Sequence, residues 1–168
     1  MYLDPRPSGG AWPNNEPPPT AIQSEMLLLS ALIRHGSAAR ALLPRIAAQQ
    51  FADPLHGRIF EALTMDRPVD QIADLATLTA EFGSSGVLND IGGAAYLVQL
   101  DGLGGPFDVV PDRAGAITDS WLRRQLLDLG EAVAGLAANQ PGILNGAETL
   151  DLAEKRIADL RAAVGAPP

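Results

Sequence analysis

The last third of the chain carries two runs of apolar residues at alternating spacings of three and four. The first run comprises Leu122, Leu126, Leu129, Val133 and Leu136. The second comprises Leu150, Ala153, Ile157, Leu160 and Val164. Residues at this spacing line one face of an α-helix. A Pro-Gly pair at 141–142 separates the runs, so we predict two long antiparallel helices that form a hairpin over residues 112–165.

Two helices offer too little surface to cover all of their own apolar side chains. Ile117 and Trp121 lie on a different helical face from the Leu122 run. They either pack back onto the rest of the chain or face a second copy of it. We expect self-association as a dimer or a larger assembly, through Ile117, Trp121, Leu122, Leu126, Leu129, Val133, Leu150, Ile157 and Leu160.

The preceding residues predict a small globular helical head over 20–103, followed by a linker at 104–111. A capping box of Thr20 and Gln23 starts the first helix, and Gly36 ends it. Asp53 and Asp70 are predicted to cap two further helices, and a short helix surrounds Tyr96. Asn145 with Glu148 can cap the second helix of the hairpin. No segment alternates with a period of two, so the fold class is all-α. Residues 1–19 contain six prolines and predict a disordered arm.

Charge and composition exclude several function classes. Twelve basic residues stand against twenty acidic ones, for a net charge of −8. Nucleic acids and anionic membranes attract basic surfaces, so we expect no direct contact with either. No apolar run approaches the roughly 18–20 residues of a membrane span, and no signal peptide opens the chain. We therefore expect a cytoplasmic protein. Without cysteine, disulfides and thiolate metal sites are excluded.

The residues that carry chemistry form no recognisable catalytic pattern. A P-loop needs a lysine after its glycines, and the only lysine, Lys155, lies within a predicted helix. His35 and His56 fall on different helices, and we expect structural roles for both, with His56 hydrogen-bonding locally. We predict no metal, no cofactor and no enzymatic activity. The residues alone indicate an acidic all-α interaction domain.

Six short motifs, taken in order, resemble the N-terminal domain of the bacterial replicative helicase, the DnaB family. They are PPTAIQSE at 18–25, QFADPLHGRIF at 50–60, RPVD at 67–70, GVL at 86–88 with IGGAAYL at 91–97, LRRQL at 122–126, and LAE at 152–154. Their shared order and spacing cover roughly 145 residues, from the first helix to the end of the hairpin.

The resemblance implies a non-catalytic replication module. In this family, helical hairpins pair between subunits, and the domains form a collar above a hexameric ATPase ring. For this chain we expect a dimer or a larger assembly, and a trimer of dimers is one compatible arrangement. The collar docks the C-terminal domain of primase and contributes to binding of the helicase loader. By motif, the partner-binding positions fall on Gln23, Tyr96 and Leu126. Gln23 replaces an acidic residue of the family, and Tyr96 has the alternative role of a core tyrosine with its hydroxyl at the surface.

Some features depart from the family pattern. The turn at 64–68 is about four residues shorter than is typical, and the sequence PFDVV at 106–110 replaces a Pro-x-Ala-Ala-Asn signature. The residues include no ATPase domain. The chain is therefore either an excised domain or a stand-alone relative. The second possibility predicts a regulator that binds and modulates the resident full-length helicase.

Overall fold

A computed structural model describes residues 20–64, 75–85, 94–138 and 145–165 of the chain. These residues form six α-helices and two short 3-10 helices, at Ala48–Gln50 and Phe107–Val109, and contain no strand. The α-helices are α1 Ile22–Ala41, α2 Pro54–Thr64, α3 Leu75–Ser85, α4 Ala94–Gly102, α5 Val110–Ala138 and α6 Gly146–Gly165. The all-α fold of a helical head followed by a long hairpin is confirmed.

The described residues divide into two compact units, with the boundary between Asp119 and Ser120. The head unit spans 20–119 and the hairpin unit begins at 120. The division falls inside α5, whereas the sequence predicted a linker at 104–111. That segment contains the 3-10 helix Phe107–Val109 and the start of α5. The predicted arm at 1–19 and the predicted cap at Asp70 lie outside the described residues.

The head is built around α1, which packs against α2 and α4. Leu28, Leu29 and Leu32 of α1 are fully buried. The core residues that surround them are Ala31, Ala39, Phe51, Ile59, Phe60, Leu63, Leu78, Phe82, Leu97, Leu100, Val110, Ala114 and Ile117. The rings of Phe51 and Phe60 lie 4.9 Å apart, at a tilt. The first turns of α5 thus complete the head core.

The two ends predicted for the first helix had different outcomes. Helix α1 begins at Ile22 with Ala21 as its N-cap, and no side chain caps it. The predicted capping box was wrong, because Thr20 lies one residue outside the cap position. Gly36 does interrupt the helix, at φ 48° and ψ −117°. A short helical segment then continues to Ala41. The backbone at Gly36 requires a residue that tolerates positive φ.

Two other helix starts follow the sequence prediction. The backbone N–H of Leu55 donates to Oδ1 of Asp53 at 2.8 Å, which caps α2. At α6, the N–H of Asn145 donates to Oε2 of Glu148 at 2.7 Å, and the N–H of Glu148 donates to Oδ1 of Asn145 at 3.0 Å. This reciprocal pair is a capping box, so both predicted caps are confirmed.

The hairpin unit contains the rest of α5 and all of α6. Nη2 of Arg156 donates to Oε1 of Gln125 at 3.2 Å, which joins the two helices. On α6, only Thr149 and Leu160 are buried. No helix within the described ranges is long and apolar enough to cross a membrane.

Candidate partner-binding surfaces

A buried carboxylate lies on the core face of α1. Glu25 is 1% exposed, and it precedes Leu28 and Leu29 by three and four residues, so it shares their face. Its Oε1 accepts the N–H of Ala52 at 2.6 Å, and its Oε2 accepts the N–H of Asp53 at 3.3 Å. These bonds satisfy two backbone donors just before α2. Glu25 therefore fixes the start of α2 against α1.

His56 continues this network from the first turn of α2. The imidazole is 1% exposed, and its Nδ1 lies 2.8 Å from Oε2 of Glu25. Its Nε2 lies 2.5 Å from the hydroxyl of Tyr96 on α4. Since an ionised carboxylate only accepts, Nδ1–H donates to Glu25; in the neutral ring, Nε2 then accepts the Tyr96 O–H. The expectation of local hydrogen bonds was wrong, because the partners lie 31 and 40 residues away.

Tyr96 is half-buried at the outer end of this network. Its ring stacks on the imidazole of His56, with the centroids 6.0 Å apart and the planes 7° from parallel. Burial raises the pKa of Tyr96, and the nearby carboxylates of Asp53 and Glu25 raise this pKa further. The phenol therefore stays protonated and acts as a donor. Its hydroxyl is bonded to His56, in contrast to the predicted alternative of a hydroxyl at the surface.

The predicted site residues included Tyr96 but not Glu25 or His56, although the sequence contains a signal of this network. Glu25, His56 and Tyr96 each lie in a different motif of the resemblance. Glu25 also falls at helical spacing from Leu28 and Leu29, and a charged residue on an apolar helix face needs a buried partner. The interpretation of His56 as a structural residue agrees with its position. The sequence alone did not indicate which residues would contact it.

The three predicted partner-binding residues lie in different parts of the structure. Gln23 is exposed in the first turn of α1, and Tyr96 lies on α4 of the same head unit. Leu126 lies on α5 in the hairpin unit and is 48% exposed. The structure therefore joins Tyr96 to Glu25 and His56, and it assigns Leu126 to a separate unit.

The predicted self-association residues differ in exposure. Ile117 is fully buried in the head core, so packing within the chain accounts for it. Leu160 is buried as well. The half-buried members are Trp121, Leu122, Leu129 and Val133, and the exposed ones are Leu126, Leu150 and Ile157. The exposed members all lie in the hairpin unit, where they leave apolar surface available to another protein.

The described ranges contain no group of three or more histidine, aspartate or glutamate side chains that could hold a metal ion. The Glu25–His56–Tyr96 network is a chain of hydrogen bonds within the head. It joins α1, α2 and α4 through one carboxylate, one imidazole and one phenol.

Comparisons with known proteins agree with this architecture. A family model described as "DnaB-like helicase N terminal domain" matches residues 17–103, which is more than half of the chain. The chain belongs to this family. The matched span contains Glu25, His56 and Tyr96, so the network lies entirely within the DnaB-like region.

Individual relatives extend the match into the hairpin. The replicative DNA helicase DnaB of Treponema pallidum is 28% identical over 149 residues, which cover 85% of this chain and 32% of that protein. The replicative helicase DnaB of Mycobacterium leprae is 27% identical, with 85% and 24% covered. The DnaB-like chain thus spans about a third or less of the length of these curated relatives.

A solved structure shows the same fold. The crystal structure of the N-terminal domain of DnaB helicase from Mycobacterium tuberculosis matches with a TM-score of 0.71 and 25% identity. The match covers 85% of this chain and 99% of that domain. The residues of this chain therefore correspond to the N-terminal domain of a replicative helicase and not to its ATPase domain. The chain thus has the all-α fold of a DnaB N-terminal domain.

Proposed function

We propose that this chain is a cytoplasmic, non-catalytic replication module that associates with copies of itself to form part of a helicase collar. The observation that carries this proposal is the apolar surface of the hairpin unit. Leu126 of α5 and Leu150, Ile157 and Val164 of α6 are all exposed. Exposed apolar side chains that recur along one helix face are typical of protein interfaces. Membership of the DnaB-like family supports a second copy as the partner.

Replacing two of these side chains by aspartate tests self-association. We expect Leu126→Asp with Ile157→Asp to dissociate the assembly, since burying unpaired carboxylates at an interface costs several kcal/mol, about 2–5. The measurement is the molar mass by light scattering across a concentration series. Circular dichroism checks that the helices remain folded.

Leu152 supplies a matched control for this experiment. It is 43% exposed on α6, but it lies on a different helix face from Leu150 and Ile157. Leu152→Asp should therefore leave the molar mass unchanged. An assembly that survives the double substitution, or that Leu152→Asp disrupts equally, contradicts the proposal.

We also propose that the module docks the C-terminal domain of primase or a helicase loader through Gln23, Tyr96 and Leu126. Gln23 and Leu126 support this proposal because both are exposed. Tyr96 supports it because its hydroxyl bond to His56 fixes the ring on α4, where the half-buried side chain keeps an accessible part. An aromatic residue held in one rotamer loses little entropy when a partner binds.

Calorimetric titration with the C-terminal domain of primase from the same organism tests docking. We expect micromolar or tighter binding, weakened at least tenfold, or about 1.4 kcal/mol, by Tyr96→Ala or Gln23→Ala. Arg58→Ala is the control, because Arg58 is exposed on α2 and is not one of the proposed docking residues. No binding by the folded chain would contradict primase docking. Titration with a helicase loader would then test the loader as the partner. Titration with the intact helicase would test the alternative that the chain is a regulator of that helicase.

A further inference from the structure

Glu25 and His56 are each 1% exposed, so a docked partner can touch neither of them. Tyr96 is half-buried and is the one member of the network with surface to offer a partner. We propose that Glu25 and His56 fix the direction of the hydrogen bond at the Tyr96 hydroxyl, so that a docked partner must supply a donor there. Proton uptake by His56 reverses this direction. The inference rests on the proposed docking through Tyr96 and specifies the chemistry and the regulation of that contact.

The direction of the bond follows from the carboxylate at the inner end of the network. Oε1 of Glu25 accepts the N–H of Ala52 at 2.6 Å, and Oε2 accepts the N–H of Asp53 at 3.3 Å. Nδ1 of His56 lies 2.8 Å from Oε2 and carries the hydrogen of this contact, because an ionised carboxylate only accepts. In a neutral imidazole, Nε2 then has no hydrogen, so it accepts the Tyr96 O–H.

A hydroxyl that donates to His56 has only lone pairs left for a partner. The partner therefore contributes an N–H or O–H group at this position, and not a carbonyl or a carboxylate. Burial raises the pKa of Tyr96, and the carboxylates of Asp53 and Glu25 raise this pKa further. The negative potential of the same carboxylates attracts a cation. An arginine or lysine side chain is the donor that fits this position best.

Nε2 of His56 is the atom at which the network can take up a proton. A proton on Glu25 would compete with the three N–H groups that its carboxylate accepts. Nε2 carries no hydrogen in the neutral ring, and imidazole is the side chain that ordinarily titrates between about pH 5 and 8. The Glu25 carboxylate, 2.8 Å from Nδ1, pairs with the ring when the ring is charged.

The charged and titratable groups around the imidazole come from its own helix and from two others. Glu25 faces it from α1 and Tyr96 from α4. Asp53 caps the same helix three residues before His56, at a spacing that brings side chains together. The 3-10 helix Ala48–Gln50 also packs against α2, and its side chains carry no charge. The charges nearest the ring are therefore negative, and they compensate an added proton.

The added proton reverses the outer hydrogen bond. With hydrogen on both ring nitrogens, Nε2–H donates to the Tyr96 oxygen, and the phenol hydrogen turns away from His56. The hydroxyl then presents a donor to a partner that also supplies a donor, and the new positive charge repels a cationic group. Docking therefore weakens as the pH falls. Glu25 and His56 act in this as positioning residues, since their effect reaches the partner through Tyr96.

A comparison of the original chain with Tyr96→Phe tests the reversal. Both are titrated calorimetrically with the C-terminal domain of primase between about pH 8 and pH 5, and circular dichroism at each pH checks the fold. Groups that titrate elsewhere in either protein affect both titrations alike, so they cancel in the ratio of the two Kd values. We expect the original chain to bind about tenfold more tightly than Tyr96→Phe at the upper pH. This advantage should disappear at the lower pH.

Glu25→Gln should reverse the bond without a change of pH. Its amide oxygen takes the place of Oε1, which has the shorter contact with the N–H of Ala52. The amide nitrogen then faces Nδ1 of His56 and donates to it, so the hydrogen of the neutral ring moves to Nε2. We expect binding about tenfold weaker than that of the original chain at the upper pH. Glu61→Gln, which removes an exposed carboxylate of α2 outside the network, is the matched control and should keep the original affinity.

Nitrogen chemical shifts of the imidazole report on the network in the chain alone. His35→Gln leaves His56 as the only histidine, because the chain contains two. At the upper pH we expect hydrogen on Nδ1 of His56, and at the lower pH on both nitrogens. Glu25→Gln in the same background should place the hydrogen on Nε2 at the upper pH.

The outcomes separate this inference from the docking on which it rests. A folded chain that binds neither the primase domain nor a helicase loader at any pH overturns both. Binding with a Kd ratio that stays constant or grows as the pH falls overturns this inference alone. Hydrogen on Nε2 of the neutral ring in the original chain, or an unchanged affinity of Glu25→Gln, does the same. An advantage of the hydroxyl that is lost both at low pH and in Glu25→Gln supports the inference.

Discussion

The Tyr96 hydroxyl lies 2.5 Å from Nε2 of His56, and this bond links α4 to α2. Through Nδ1 of His56, the link continues to Glu25 on α1. Three helices of the DnaB-like head thus share one buried polar network. Since the O–H of Tyr96 donates to His56, its hydroxyl offers a partner only an acceptor oxygen, beside the ring and the position of α4.

We expect Tyr96→Phe to lower the free energy of unfolding by about 1–3 kcal/mol. The substitution keeps the ring but leaves Nε2 of the buried His56 without its hydrogen-bond partner. Urea unfolding followed by circular dichroism measures the change. Val98→Ala, on the exposed side of α4, should stay within about 0.5 kcal/mol of the original chain. Equal stability of Tyr96→Phe and the original chain would show that the bond contributes nothing.

Glu25 and His56 should behave as a coupled pair. Removal of either partner leaves a buried polar group unpaired, and we expect Glu25→Leu and His56→Leu each to cost about 3–5 kcal/mol. The double variant should cost less than the two single costs added, by about 0.5–3 kcal/mol. A double-mutant cycle by urea unfolding measures this coupling. If the variants unfold, Glu25→Gln and His56→Gln give a milder cycle, and strict additivity in it would refute the coupling.

Local signals in the sequence predicted the helices better than they predicted the network. The caps at Asp53 and Asn145 follow from side chains that reach backbone groups two or three residues away. The bond between Glu25 and His56 spans 31 residues, and its formation depends on how α1 and α2 pack. The burial of Ile117 likewise depends on tertiary packing and could not be predicted from local sequence. Its helical spacing was clear, but only the tertiary structure shows that it packs in the head core.

The failed capping box at Thr20 has a related cause. The pattern of Thr20 and Gln23 predicts a cap, but α1 begins one residue too late for Thr20 to occupy the cap position. Glu25 and the leucines that follow it pack α1 into the core, and this packing determines at which residue the helix begins. Helix propensities and caps contribute about 1 kcal/mol, which the burial of several leucines exceeds.

Gly57 should not tolerate a methyl group. A Cβ added there would lie 2.7 Å from the carbonyl oxygen of Ala48, a backbone atom in the adjoining 3-10 helix. We expect Gly57→Ala to destabilise the head by about 1–3 kcal/mol, since the backbone must shift to relieve the contact. Gly130→Ala on α5 is the matched control, because a Cβ there meets nothing within 4 Å. It should stabilise its helix by about 0.5–1 kcal/mol. Thermal unfolding of both variants measures the contrast, and equal effects would contradict the steric argument.

The raised pKa of Tyr96 predicts a specific dependence of stability on alkaline pH. In the unfolded chain, the phenol ionises near its ordinary pKa of about 10. In the folded chain it keeps its proton to higher pH, because of burial and the carboxylates of Asp53 and Glu25. Between the two pKa values the folded state binds more protons than the unfolded state, so the free energy of unfolding falls as pH rises above about 10. Below that pH the contribution of Tyr96 is constant.

Absorbance titration at alkaline pH checks this prediction directly. The chain has two tyrosines, Tyr2 and Tyr96, so the variant Tyr2→Phe reports on Tyr96 alone. We expect its phenolate absorbance to rise at a higher pH in the folded chain than in the chain unfolded by urea. Tyr96→Phe should in turn lose part of the alkaline fall in stability. A folded chain that titrates like the unfolded one would contradict the raised pKa and the desolvated position of the Tyr96 hydroxyl beside His56.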